Sequence, residues 1–102
     1  MVKQQLTAPG STSTYKMAGR NNVTAQYTVA AIDTTVVVRL EGTQDGTNYF
    51  NLDENGDTTI TANGTYGFKV ANISLNDVKF TFVSETGGTA ATIDVVIMGN
   101  DY

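Results

Sequence analysis

Asp45, Glu85 and Asp94 are the carboxylates whose pairing would give acid–base chemistry, because two carboxyls flanking one bond can divide the donor and acceptor roles. Nothing in their spacing brings two of them together, and Asp94 alternates outward between Ile93 and Val95. Ser and Thr hydroxyls are abundant, but the chain has no His to take their proton, no evident Lys partner and no GxSxG turn. The lack of His and Cys also removes the usual ligands for zinc, copper and haem. The sequence is therefore read as non-enzymatic and as needing no cofactor.

Other motifs resolve into turn chemistry. Asp53-Glu54-Asn55-Gly56-Asp57 sets oxygen donors at alternate positions of a calcium-loop pattern. Thr58 and Gly64 then stand where the pattern needs a Gly and a bidentate Glu, so a turn in which Asp and Asn bond their own backbone accounts for the run. Gly87-Gly88 is read as a hairpin loop between strands; it opens no helix and offers no phosphate cradle. The sequons at Asn22, Asn63 and Asn72 are expected by chance in a chain this rich in Asn and Thr.

The elements that position these residues read as strands. Val23, Ala25, Tyr27, Val29 and Ala31 alternate with polar residues, and Val36, Val38 and Leu40 alternate with Thr35, Val37, Arg39 and Glu41. Further strands are expected at Asn48–Leu52, Thr58–Ala62, Thr65–Val70, Asp77–Ser84 and Ala91–Met98, with Asn63-Gly64 as a tight hairpin. Thr is the commonest residue at 17 copies, and no segment carries apolar residues at helical spacing. The expected fold is all-β, an antiparallel sandwich or a jelly-roll-like arrangement of about seven to eight strands. Its inward set includes Phe50, Leu52, Phe80 and Phe82.

A chain of 102 residues fits one domain. Residues 7–22 hold the only Pro among Gly, Ser, Thr and Asn, so residues 1–22 are read as an extended N-terminal arm with short strand-like pieces at Gln4–Thr7 and Ser13–Met17. Residues 23–102 form the sandwich. Residues 1–32 carry three cations and no acid, whereas residues 33–102 carry ten acids against three cations, a balance of +3 against −7. A weakly basic arm on an acidic neighbour follows from that polarity, with Leu6, Tyr15, Lys16, Met17 and Arg20 as its docking residues. Three dispersed cations are too few for nucleic-acid binding. No run reaches the length of a membrane span, and the first residues lack a signal-peptide stretch, so production in a cytoplasm is expected.

Val37, Tyr49, Val96 and Met98 fall out of phase with the inward sets of their strands. Clustered, they would make a subunit interface, and a covered sheet face or edge also protects open strands. A separate reading makes Tyr49 and Phe50, with Asp45, Asn48 and Asn51, a glycan platform of ring faces and amides.

The segment EGTQDGTNYFNLDENGD, from Glu41, and the closing DVKFTFVSETGGTAATIDVVIMGN resemble small β-sandwich proteins of tailed-phage virions. That resemblance spans about a third of the chain. It implies a capsid decoration, cement or head-fibre-associated role, in the virion and made in a host cytoplasm, on a major capsid protein or another virion protein, as a homo-oligomer with a trimer favoured. It brings no catalytic residues with it.

Overall fold

The computed structural model describes residues 1–53 and 56–100. They form nine strands and no helix: β1 (Val2–Leu6), β2 (Thr12–Lys16), β3 (Asn22–Ala30), β4 (Thr35–Thr43), β5 (Phe50–Asn51), β6 (Thr58–Ile60), β7 (Gly64–Val70), β8 (Asp77–Thr86) and β9 (Thr92–Asn100). All pairing is antiparallel.

Sheet A has the order β1-β9-β3-β7; sheet B has the order β2-β8-β4, with β5 and β6 both pairing the far edge of β4. This is the jelly-roll order, in which the chain passes from one sheet to the other at nearly every connection. Only the steps around β4, β5 and β6 stay within a sheet. The passage from β3 to β4 turns on Ala31, which takes a left-handed conformation with φ 58°.

The core lies between the sheets and follows the period-two phase of the sequence. Val23, Tyr27 and Val29 of β3 and Ile93, Val95 and Ile97 of β9 face Val36, Val38 and Leu40 of β4 and Val78, Phe80 and Phe82 of β8, all buried. Tyr27 joins the layers: its ring centroid lies 4.9 Å from Phe80 in the opposite sheet and 5.4 Å from Phe68 in its own. Burial, with the nearby Tyr66 charge second, pushes the Tyr27 phenol up to about 12.

Four expectations need correction. Residues 1–22 do not stand apart as an arm: β1 pairs β9 from Val2 against Ile97 to Leu6 against Ile93, and β2 pairs β8. Leu6, Tyr15 and Met17 belong to the core cluster, each at most 6% exposed. Asn63-Gly64 is not a hairpin, because β6 lies in sheet B and β7 in sheet A; Asn63 Oδ1 instead accepts the Ile32 N–H at 2.9 Å. Gly87-Gly88 likewise links β8 to β9 across the sandwich rather than within a sheet. Phe50 is 51% exposed instead of inward. It sits opposite Gly42, and a side chain added at Gly42 would meet Leu75 at 2.7 Å and Leu52 at 3.1 Å, so those two leucines already fill the space behind that strand pair.

Candidate binding surfaces

Two outer sheet faces carry the residues singled out by phase. On the outer face of sheet B, Arg39 donates from Nε to Asp57 Oδ1 at 2.7 Å and from Nη2 to Asp57 Oδ2 at 2.8 Å, a bidentate pair. Asn51 Nδ2 donates to the same Asp57 Oδ1 at 3.0 Å, and Arg39 Nη1 lies 3.8 Å from Glu41. Glu41 Oε1 accepts from Thr81 Oγ1 at 3.2 Å. The Arg39 hydrogen bond holds the Asp57 carboxyl below its usual range. The Lys79 ammonium stands 4.1 Å from the centre of the Tyr49 ring, a cation–π contact. Burial, then the charges of Asp77 and Glu41, raise the Tyr49 phenol.

Asp45 organises the loop that leads into this face. Its Oδ1 accepts the N–H groups of Thr47 and Asn48, both at 2.8 Å, and the Thr43 hydroxyl at 3.0 Å; its Oδ2 accepts from Asn48 Nδ2 at 2.8 Å. The Asn48 and Thr47 backbone bonds lead in holding this carboxyl well below the usual range. Asp45 is therefore a loop-building residue.

The expected glycan platform is divided by the strand that carries it. Asn51 lies opposite Glu41 and Phe50 opposite Gly42, so successive residues point to opposite sides, with Tyr49 on the Asn51 side. Its polar groups are also engaged within the fold: Asn51 Oδ1 accepts the Asp53 N–H at 2.9 Å, and Asn48 and Asp45 bond each other.

The outer face of sheet A is chemically different. Registering β1, β9, β3 and β7 places Lys3, Val96, Gln26 and Gly67 in one row and Gln5, Asp94, Thr28 and Thr65 in the next. Met98, Thr24 and Lys69 form a third row. Val96 and Met98 are neighbours here, with Met98 44% exposed, while Lys3 and Lys69 stand on the two outermost strands. Val37, by contrast, is half-buried on sheet B at a register shift against β8. The four out-of-phase apolar residues therefore divide between opposite faces, two on each, and do not make one patch.

Of the expected docking residues, Lys16 and Arg20 are exposed, but Leu6, Tyr15 and Met17 are inside. Gly99 marks how closely this corner packs: a side chain there would meet the Tyr15 ring and Arg20 at 2.9 Å. The calcium-like run includes residues 54 and 55 and so lies partly outside the described residues; its Asp57 is bound by Arg39 and Asn51. Among the described residues, no group of three or more acidic side chains is placed to hold a metal ion, and no helix is long and apolar enough to cross a membrane.

No protein-family model matches this chain, and no curated protein matches it. Solved structures do share its fold. The SPBc2 prophage-derived protein YomS aligns with a TM-score of 0.56 at 12% identity, covering 96% of each chain. A CBM4 structure aligns with a TM-score of 0.52 at 11% identity over 87% of this chain, which spans 59% of that protein's length. The C-terminal domain of a chitobiase from Bacteroides fragilis aligns with a TM-score of 0.51 at 21% identity, over 88% of this chain and 64% of that domain. At these identities the likeness is one of fold: the chain is a small β-sandwich of a kind found both in a prophage-derived protein and in carbohydrate-binding modules.

Proposed function

We propose that this protein is a non-catalytic structural component of a virion, of the capsid-decoration kind, which binds a major capsid protein or another virion protein through the outer face of sheet A. The observation that carries this reading is the make-up of that face. Val96, Met98, Thr24, Gln26 and Thr28 form a centre whose one charge is Asp94 on β9, with Lys3 and Lys69 on the bordering strands. Protein interfaces have that anatomy, a centre depleted of charge inside a polar rim. The end-to-end match in size with a prophage-derived protein supports the same reading.

The site of contact moves from the N-terminal residues to the sheet face, because Leu6, Tyr15 and Met17 are committed to the core. A carbohydrate-binding role fits the fold equally, but the geometry favours it less, since its aromatic pair is split and its amides are bonded internally. The deciding experiment is co-purification of the tagged protein with particles of the virus that encodes it. Wild type is expected to be retained and Met98→Glu lost, with the fold intact by circular dichroism. Equal retention of both, or saturable binding to a glycan array by protein absent from particles, overturns the reading.

A further inference from the structure

β7 is the longest edge strand of the sandwich, at seven residues against five each for β1 and β2, two for β5 and three for β6. Among the described residues it pairs only with β3, so one side of its backbone is open. Open edges are normally blunted by Pro, by bulges, by inward-pointing charge or by charged side chains along the edge, Lys above all. β7 has only the last of these, in a single Lys: it has no Pro and no inward-pointing charge, and its pairing with β3 runs without a register shift from Val23–Val70 to Val29–Gly64. Its one charge, Lys69, registers with Thr24 on the outer face.

The inner side of β7 is also left unfinished. Tyr66, Phe68 and Val70 point towards the core yet stay only partly buried, because sheet B ends opposite them in the short strands β5 and β6. Tyr66 and Phe68 continue a ring stack with Tyr27, at centroid distances of 5.7 and 5.4 Å, that stops at the open edge.

We propose that two copies of this chain join edge to edge through β7, antiparallel, about a two-fold axis at Gly67. The sequence Gly64-Thr65-Tyr66-Gly67-Phe68-Lys69-Val70 is close to symmetrical about its centre. That register pairs all seven residues. It sets Tyr66 against Phe68 of the second copy twice on the inner side, and Thr65 against Lys69 twice on the outer side. Cross-strand aromatic pairs are favourable, and no like charges meet. The contact is the same patch on both copies, so it closes at two. It goes beyond the assembly reading above: it concerns the edge of sheet A, and its failure leaves the test of the outer face unaffected.

The chain has no Cys, which makes a direct geometric test available. A residue on the axis faces its own copy at a Cα separation of about 4.5–5.5 Å, within the range a disulfide spans. A side chain at Gly67 meets nothing nearer than the Ala25 carbonyl at 3.5 Å, so Gly67→Cys fits the fold. The protein is expected to show twice its single-chain mass of 10.9 kDa by light scattering. Oxidised Gly67→Cys is expected to run as a covalent dimer, while Lys3→Cys, on the opposite edge strand of the same sheet, is not. Gly67→Asp sets two carboxylates against each other and is expected to return the single-chain mass; Gly67→Ser, uncharged, is expected to keep the dimer. All variants are checked for wild-type circular dichroism. A wild-type mass of one or three chains, no excess of cross-linking at position 67 over position 3, or a dimer that persists in Gly67→Asp overturns the proposal.

Discussion

Leu6→Ala separates a core strand from a free arm. Leu6 is 1% exposed, registers with Ile93 of β9 and belongs to the central cluster. Truncating a buried Leu to Ala costs about 2–5 kcal/mol, depending on how far the surroundings settle into the space. β1 has a single neighbouring strand in its sheet and can move inward, which puts the expected cost in the lower half, about 2–3 kcal/mol. With a urea slope of about 2 kcal/mol per molar, the unfolding midpoint falls by roughly 1–1.5 M. Gln5→Ala, one residue earlier and exposed, is the control and is expected to stay within about 0.5 kcal/mol of wild type. The assay is equilibrium urea denaturation followed by tyrosine fluorescence and far-UV circular dichroism. If Leu6→Ala unfolds at the wild-type midpoint, β1 does not contribute to the core, and the placement of the first strand is wrong.

Three further outcomes are expected. Ser13 is buried, with no hydrogen-bond partner for its hydroxyl among the described residues, so Ser13→Ala should raise stability by about 1 kcal/mol, and a loss in the same urea assay would reveal a partner. The depressed Asp45 carboxyl contributes stability that is complete above about pH 4, the unfolded value, and disappears as pH falls through the folded one. Asp45→Asn should therefore flatten the decline of melting temperature below about pH 4; an unchanged decline would remove Asp45 from the acid response. Tyr27 holds its proton to about 12 when folded, whereas an unfolded Tyr ionises near 10, so stability should fall as pH rises from about 10 towards 12. Tyr27→Phe should lessen that fall, as read by melting temperature, while absorbance titration of the wild type should show one tyrosine ionising last.

Alternation made most of the sandwich legible, because a strand buried on one face must place apolar residues at every second position. β3, β4, β8 and β9 each put three or more large side chains inward, enough for the pattern to stand out. β1 and β2 did not, since each contributes only one or two large core residues from a sheet edge: Leu6, and Tyr15 leading on to Met17. Their polar composition, with Pro9-Gly10 among the small and polar residues, reads as an arm, whereas that segment carries the chain between sheets. Asn63-Gly64 carried a similar ambiguity, because turn residues report local backbone freedom and not which sheet the next strand joins. Phe50 was in phase but lost its place to Leu52 and Leu75, the second of which lies in a stretch that read as a plain turn. Met98 and Val96 were correctly read as outward; that Val37 and Tyr49 lie on the other sheet depended on topology, which alternation does not encode.

The pairing of β1 with β9 sets Val2 against Ile97, so nearly all the described residues lie between two strands that must meet. A contact of such long sequence separation carries a large loop-closure cost before it is rewarded, and folds dominated by such contacts form in milliseconds to seconds rather than microseconds. On the ribosome, sheet A cannot be completed until β9 has emerged, and β3 waits with its β9 side unpaired through most of translation. Sheet A of this chain is thus completed only after its last strand has left the ribosome. Its yield in the cell will depend on how long the nascent sheets stay apart from one another.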